Sequence, residues 1–208
     1  MNYIDKQQIK VITEKILVEA NIDKPAVMAD RVAEFNCDLE FEWVNLDKYC
    51  DDSEILAAIS IRDKKIYMNN SHEQELRNNL GRMNFTIAHE LGHWILHKDS
   101  AQEKLPGFTD EFLICRGINN SINDRERQAD TFAAHLLMPE KFVKAQLNNF
   151  KTYLNEYDLK QIANVFRVSK QAMQIRLVKE LRLLYPAKGL YYKSELEAME
   201  ACGQLTLF

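Results

Sequence analysis

The chain has 208 residues, 46% of them hydrophobic and 28% charged, which is enough to bury a core of domain size without disulfide help. A formal net charge of −4 argues against a surface that binds nucleic acid as a whole. The four cysteines (Cys37, Cys50, Cys115, Cys202) stand far apart and form no C-x-x-C pair, which excludes a zinc ribbon and implies reduced thiols in a cytoplasmic protein.

At the N-terminus, Met1-Asn2-Tyr3-Ile4-Asp5-Lys6 lacks a basic segment leading into an apolar one, so no signal peptide is expected. No apolar run has the length to cross a bilayer. From about Ile4 to Glu19 apolar residues recur at helical spacing (Ile9, Ile12, Ile16, Leu17). Pro25 is suited to open a second helix carrying Val27, Met28, Val32 and Phe35. The period then shortens. Leu39-Glu40-Phe41-Glu42-Trp43-Val44 reads as a strand with Leu39, Phe41 and Trp43 on one face. Ile55 to Ile61 and Lys65 to Met68 read as two further strands joined by Arg62-Asp63-Lys64, giving a small antiparallel sheet. Helical spacing returns from about Arg82 to His97. Lys98 to Asn123, with Pro106-Gly107 and Asn119-Asn120-Ser121, reads as mostly loop. A helix from Asp124 to Leu137 is closed by Pro139, and the chain stays helical to about Leu184, with breaks near Asn155 and Val168-Ser169. The class expected is α+β, a mostly helical body with a small antiparallel sheet.

His89-Glu90-Leu91-Gly92-His93 places two imidazoles four residues apart, so on a helix they project from nearly one face and can share a Zn²⁺. Glu90 is rotated about 100° from His89, close enough to hold a hydrolytic water without being a ligand. Thr86, His89, Glu90, His93 and His97 share one arc of that helix; Phe85, Ala88, Leu91, Ile95 and Leu96 fill the rest. Gly92 falls on the packed side, where its missing side chain admits another backbone. The next helix offers Glu126 and Asp130 at i, i+4, on a face that continues through Ala133, Ala134 and Leu137. Glu126 is assigned as third ligand, and Asp130 as the acceptor that orients a ligand imidazole. Three protein ligands leave a fourth position for water, which is the catalytic arrangement of zinc and not the structural one. His97 lies a further turn beyond His93 without the glycine turn that would bring it back, and is read as a capping or packing residue. His72 and Tyr67 are candidates for stabilising an oxyanion, although no spacing singles them out.

Phe85-Thr86-Ile87-Ala88-His89-Glu90-Leu91-Gly92-His93, then Leu96-His97, resembles the ImmA/IrrE-type metallopeptidases. The resemblance continues in Glu126-x-x-Ala129-Asp130-x-Phe132-Ala133-Ala134-x-Leu136-Leu137-Met138-Pro139, and in Ile66-Tyr67-Met68-Asn69 ahead of the histidine helix. It is close from about Ile55 to Pro139. Asp130 stands where the family often has Asn, His135 replaces a usual Glu, and the Lys98–Asn123 connection is long. The resemblance implies a zincin-like pair of ligand helices and a zinc-dependent endopeptidase with Glu90 as general base. It further implies a protein substrate, a partner helix-turn-helix transcriptional repressor cleaved under stress or on induction of a mobile element.

Three segments follow from this: residues 1–140 as the peptidase core, 141–185 as a helical region, and 186–208 as a tail. Between Lys141 and Lys193 stand eleven basic and three acidic residues, although the whole chain is acidic. Leu159 to Ala172 resembles a helix-turn-helix, with Arg167 where glycine is common, so direct DNA binding is an open but less favoured partner. The alternative in a different class is a DNA-binding or toxin–antitoxin component whose zinc site is not proteolytic. The last five residues, Gln204-Leu205-Thr206-Leu207-Phe208, resemble the pentapeptide by which bacterial proteins dock on the DNA sliding clamp.

Overall fold

A computed structural model of the chain describes residues 4–49, 55–98, 112–114, 124–150 and 152–203. They belong to two compact units, one comprising Met1–Asp23 and Val27–Leu137, the other Lys24–Ala26 and Met138–Phe208. Among the described residues no helix is long and apolar enough to cross a membrane.

Among the described residues the first unit holds five α-helices, α1 (Lys6–Glu19), α2 (Ala29–Cys37), α3 (Glu73–Asn78), α4 (Leu80–His97) and α5 (Asp124–Leu137). A capping box opens α1: the Asp5 carboxylate accepts from Gln8 N–H at 2.8 Å and the Gln8 side chain accepts from Asp5 N–H at 2.9 Å. Ile9, Thr13 and Leu17, four apart, are its buried face, and α1 packs on α5. The second helix begins at Ala29, four residues later than a start at Pro25 would give. Ala26, with φ 70, is in the left-handed region and breaks helical continuity. Buried Asn84 of α4 fixes the new start, accepting from Ala29 N–H at 2.8 Å and donating to the Val27 carbonyl at 2.9 Å.

Four strands, β1 (Glu40–Val44), β2 (Ala57–Ser60), β3 (Lys65–Asn69) and β4 (Phe112–Ile114), form a sheet in the order β1-β3-β2-β4. The hairpin of β2 and β3 is antiparallel, pairing Ala57 with Met68, and Lys64 turns it at φ 53. The α+β class stands, but the sheet is mixed: β1 runs parallel to β3, pairing Phe41 with Ile66. The connection after β1 is long enough to reverse the chain before β2, so β1 docks beside the returning strand of the hairpin. Strand β4 lies in the stretch read as loop and pairs antiparallel with β2, Ala58 opposite Ile114. Three residues are too few to show an alternation, and the partner strand makes the strand. The rest of the Lys98–Asn123 connection, apart from Lys98 itself, is outside the described residues. Every residue of β2 is buried, and α4 packs against it.

The histidine helix meets α5 at Gly92. A Cβ built there would stand 3.1 Å from Ala129 Cα, 3.2 Å from Ala129 O and 3.2 Å from Phe132 Cβ. A glycine inside a helix costs about 1 kcal/mol against alanine. That loss is offset by the close approach it permits, with Ala129, Phe132 and Ala133 wholly buried.

In the second unit, Pro139 precedes α6 (Glu140–Leu147), and β5 (Tyr153–Leu154) leads into α7 (Glu156–Phe166). Asn155 caps α7 in a reciprocal box with Asp158. Arg167 then takes the left-handed conformation, φ 53 and ψ 44, that glycine usually supplies, and Ser169 caps α8 (Lys170–Gln174). A π-helical turn, Ile175–Glu180, continues α8; its Arg176 is fully buried, donating to the Met138 carbonyl at 3.1 Å and to Glu180 at 2.6 Å. Residues from 186 on, expected as a tail, are folded as far as Gly203. Strands β6 (Tyr185–Ala187) and β7 (Leu190–Tyr192) form a hairpin, β5 pairs with β7, and α9 (Glu195–Cys202) follows. Lys188 (φ 48) and Gly189 (φ 78) make the tight two-residue turn, in which both central residues need positive φ. The pentapeptide Gln204–Phe208 lies outside the described residues.

The Gly92 contact carries the first prediction. Gly92→Val forces branched carbon into the Ala129 backbone, so overpacking lowers the stability of the metal-free protein by about 1–3 kcal/mol. A urea midpoint equal to that of the wild type contradicts it.

Candidate metal centre

The two helices run antiparallel at the site, so that His97 faces Arg125, His93 faces Glu126 and His89 faces Asp130. Asn79 caps the start of α4, accepting from Arg82 N–H at 3.1 Å. Asp124 and Glu126 occupy the first turn of α5, where carboxylates complement the helix dipole.

His93 Nε2 lies 3.1 Å from His89 Nε2 and 3.2 Å from Glu126 Oε1, and His89 Nε2 lies 3.2 Å from Glu126 Oε2. These are the donor separations a tetrahedral zinc requires, since ligands about 2.0–2.1 Å from the ion stand about 3.3 Å from each other. His89, His93 and Glu126 are the group that could hold a metal ion among the described residues, their ligand atoms all within 4.8 Å of one another. Two nitrogens and one carboxylate suit a borderline cation such as Zn²⁺. The residues fit the group.

Asp130 Oδ1 accepts from His89 Nδ1 at 2.8 Å. That bond holds a proton on Nδ1, so Nε2 is the nitrogen turned to the cluster and available to a cation. Burial opposes protonation of His89, yet the bonds to Asp130 and Glu126 and the charge of Glu90 outweigh it and push the imidazole up to about 10 in the metal-free site. Burial also opposes ionisation of Glu126, but its bonds to His89 and His93 hold the carboxyl well below the usual range. Both shifts have one cause, the pairing of imidazoles with carboxylates inside the same pocket. Glu90 is wholly buried beside it. His93 is 1% exposed, and its Nδ1 has no hydrogen-bond partner among the described residues. The Asp130 side chain, 61% exposed, marks the side open to solvent.

The residues chosen from sequence as ligands, base and orienting acceptor thus lie on α4 or α5, whereas the pentapeptide is outside the described residues. His97 stays outside the donor group. Burial, with His93 next to it, pushes its imidazole down to about 4, and its Nε2 lies 3.3 Å from the Arg125 carbonyl. Because a carbonyl only accepts, the proton is on Nε2. Tyr67 and His72 are engaged elsewhere. Tyr67 packs on the Leu46–Ile55–Ala58 cluster with its hydroxyl 3.4 Å from Asp63, and His72 is 3.4 Å from Glu75. The strand ending near Met68 offers no free edge, since β3 is paired on both sides. Among the described residues the edges of that sheet are β1 and β4. Sequence reasoning missed β4, which lies in the connection between the two ligand helices; its only signal was the short apolar run Phe112-Leu113-Ile114.

The family model of the IrrE N-terminal-like domain, Peptidase M78, matches residues 39–178, about two thirds of the chain. The chain belongs to this family. It is also 34% identical over 94 residues to metallopeptidase ImmA of Bacillus subtilis (strain 168), a match covering 45% of this chain and 47% of that protein. The chain thus spans about half the length of that curated relative. The matched family region contains α4, α5 and the three residues His89, His93 and Glu126 that could hold a metal ion.

Removing a central donor tests the centre. His93→Ala is expected to lower metal content from near one equivalent to near zero after dialysis, measured by elemental analysis. Retention of a full equivalent would refute this donor set.

Proposed function

We propose that the protein is a zinc-dependent endopeptidase, with the ion held by His89, His93 and Glu126. The observation that carries the reading is the 3.1–3.2 Å triangle of donor atoms on two antiparallel helices. When bound, zinc supplies a Lewis acid that makes water acidic near neutral pH and polarises a peptide carbonyl. Glu90, one residue from His89 and wholly buried, accepts the proton of the attacking water and returns it to the leaving amine. Asp130 keeps His89 in the tautomer that directs Nε2 inward. An extended substrate adds to the sheet at β4, which among the described residues is paired on one side only.

The substrate class is a protein, and a partner helix-turn-helix repressor is the reading that the resemblance to ImmA/IrrE-type enzymes supports. Free thiols at Cys37 and Cys202 agree with a reducing cytoplasm. Residues 1–140 form the peptidase part of this reading. The pentapeptide Gln204–Phe208 is proposed as a docking segment for the sliding clamp, on its sequence alone.

One observation favours a second reading for the 141–185 region. Arg167 adopts at the turn the left-handed conformation of a helix-turn-helix, and Leu159, Ile162, Ala163, Phe166, Val168 and Met173 bury its inner face. Against DNA contact, Lys170 at the start of the second helix is paired with Glu156. Packing or substrate docking is therefore preferred for this region.

Glu90→Gln keeps the size and burial of the side chain but removes its basicity. It is expected to retain a full equivalent of zinc and to lose cleavage by a factor of about 10²–10⁴. Cleavage at the wild-type rate by that variant, against a repressor co-expressed as substrate, would remove Glu90 from the role of base.

A further inference from the structure

His97 is buried, with 4% of its surface exposed, on the same arc of α4 as the two donor histidines, and its ring centroid is 5.6 Å from that of His93. It does not reach into the donor triangle. Its Nε2–H donates instead across the helix pair to the carbonyl of Arg125, the residue immediately before Glu126. Glu126 is only the third residue of α5. First turns of helices fray, because their N–H groups have no partners within the helix. A ligand in that turn needs something to hold its backbone at the right height.

We propose that His97 is the positioning residue for Glu126, clamping the first turn of α5 so that its carboxylate stays in reach of the metal. This rests on the reading of His89, His93 and Glu126 as metal ligands. One residue of slip along a helix is 1.5 Å and about 100° of rotation, and either takes a carboxylate out of coordination distance. Two contacts among the described residues bear directly on the register of α4 against α5 around the site. Gly92 against Ala129 fixes the separation of the axes, and His97 on Arg125 fixes the height of the end that bears Glu126. His97 therefore acts through another residue and touches neither metal nor substrate.

The test uses the full chain and Co²⁺ or Zn²⁺ alone as probe, with affinity read by chelator competition and geometry by the visible spectrum of the Co²⁺ form. His97→Phe removes the donor and keeps a ring. His97→Asn keeps an amide, but its nitrogen sits at the Nδ1 position and falls short of the Arg125 carbonyl. His97→Gln places its amide nitrogen three bonds from Cβ, as Nε2 is, and can donate to the same carbonyl. The Phe and Asn variants are expected to bind metal about 10–100-fold more weakly, as is common when the support of a ligand is lost. Gln is expected to restore affinity and the wild-type spectrum. Phe and Asn variants that bind as tightly as wild type, with only the melting temperature lowered, overturn the proposal, as does a loss that Gln fails to rescue. Glu126→Ala runs in parallel: if it leaves affinity unchanged, the ligand assignment itself fails, and if it alone weakens binding, only the role of His97 fails. Should His97→Phe not fold, the Gln and Asn pair decides the matter.

Discussion

The site depends on how close two helices can come. The donor atoms on separate helices lie 3.2 Å apart, and between them the two backbones are nearly in contact where a glycine meets an alanine. A packing constraint on the apolar side of α4 therefore becomes a coordination constraint on its polar side. The same helix turns Leu91 and Ala88 into the core and His89 and His93 toward α5. Core and site cannot vary independently, because one rigid rod bears both.

Electrostatics completes what packing begins. Three carboxylates, Glu90, Glu126 and Asp130, surround two imidazoles, and one of the three is wholly buried. A buried carboxylate beside a second, half-buried one is unfavourable unless positive charge stands near them. Burial opposes charge on His89, but its bonds to Asp130 and Glu126 outweigh it and raise the imidazole, so the pocket favours positive charge. A divalent ion would supply that charge while satisfying both histidines and Glu126 at once. Asp130 then has a double part: it favours positive charge nearby and presents the correct nitrogen of His89 to it.

Most of the centre was legible in the sequence because it is written at helical spacing. The i, i+4 pairs His89/His93 and Glu126/Asp130 survive any uncertainty in helix ends, since period and not boundary carries them. Gly92 could be placed on the packed side for the same reason. Features that come from pairing or from single backbone angles were not legible. Nothing local tells Glu40–Val44 to join Ile66 in parallel, and three residues at Phe112 form a strand only because β2 offers an edge. Ala26 at φ 70 delayed the second helix, and Lys188 at φ 48 made a hairpin without the usual Asn-Gly signal. The bond from His97 to Arg125 belongs to the same class, as it joins residues 28 apart whose register only the folded helix pair defines.

The long link between the ligand helices gains a physical meaning from β4. Chain leaving α4 after His97 returns at Asp124, and on the way it lays Phe112–Ile114 on β2, the buried strand against which α4 itself packs. The connection is therefore anchored to the sheet as well as to both helices. Among the described residues β4 is paired on one side only, so the link between the two helices carries an open strand edge.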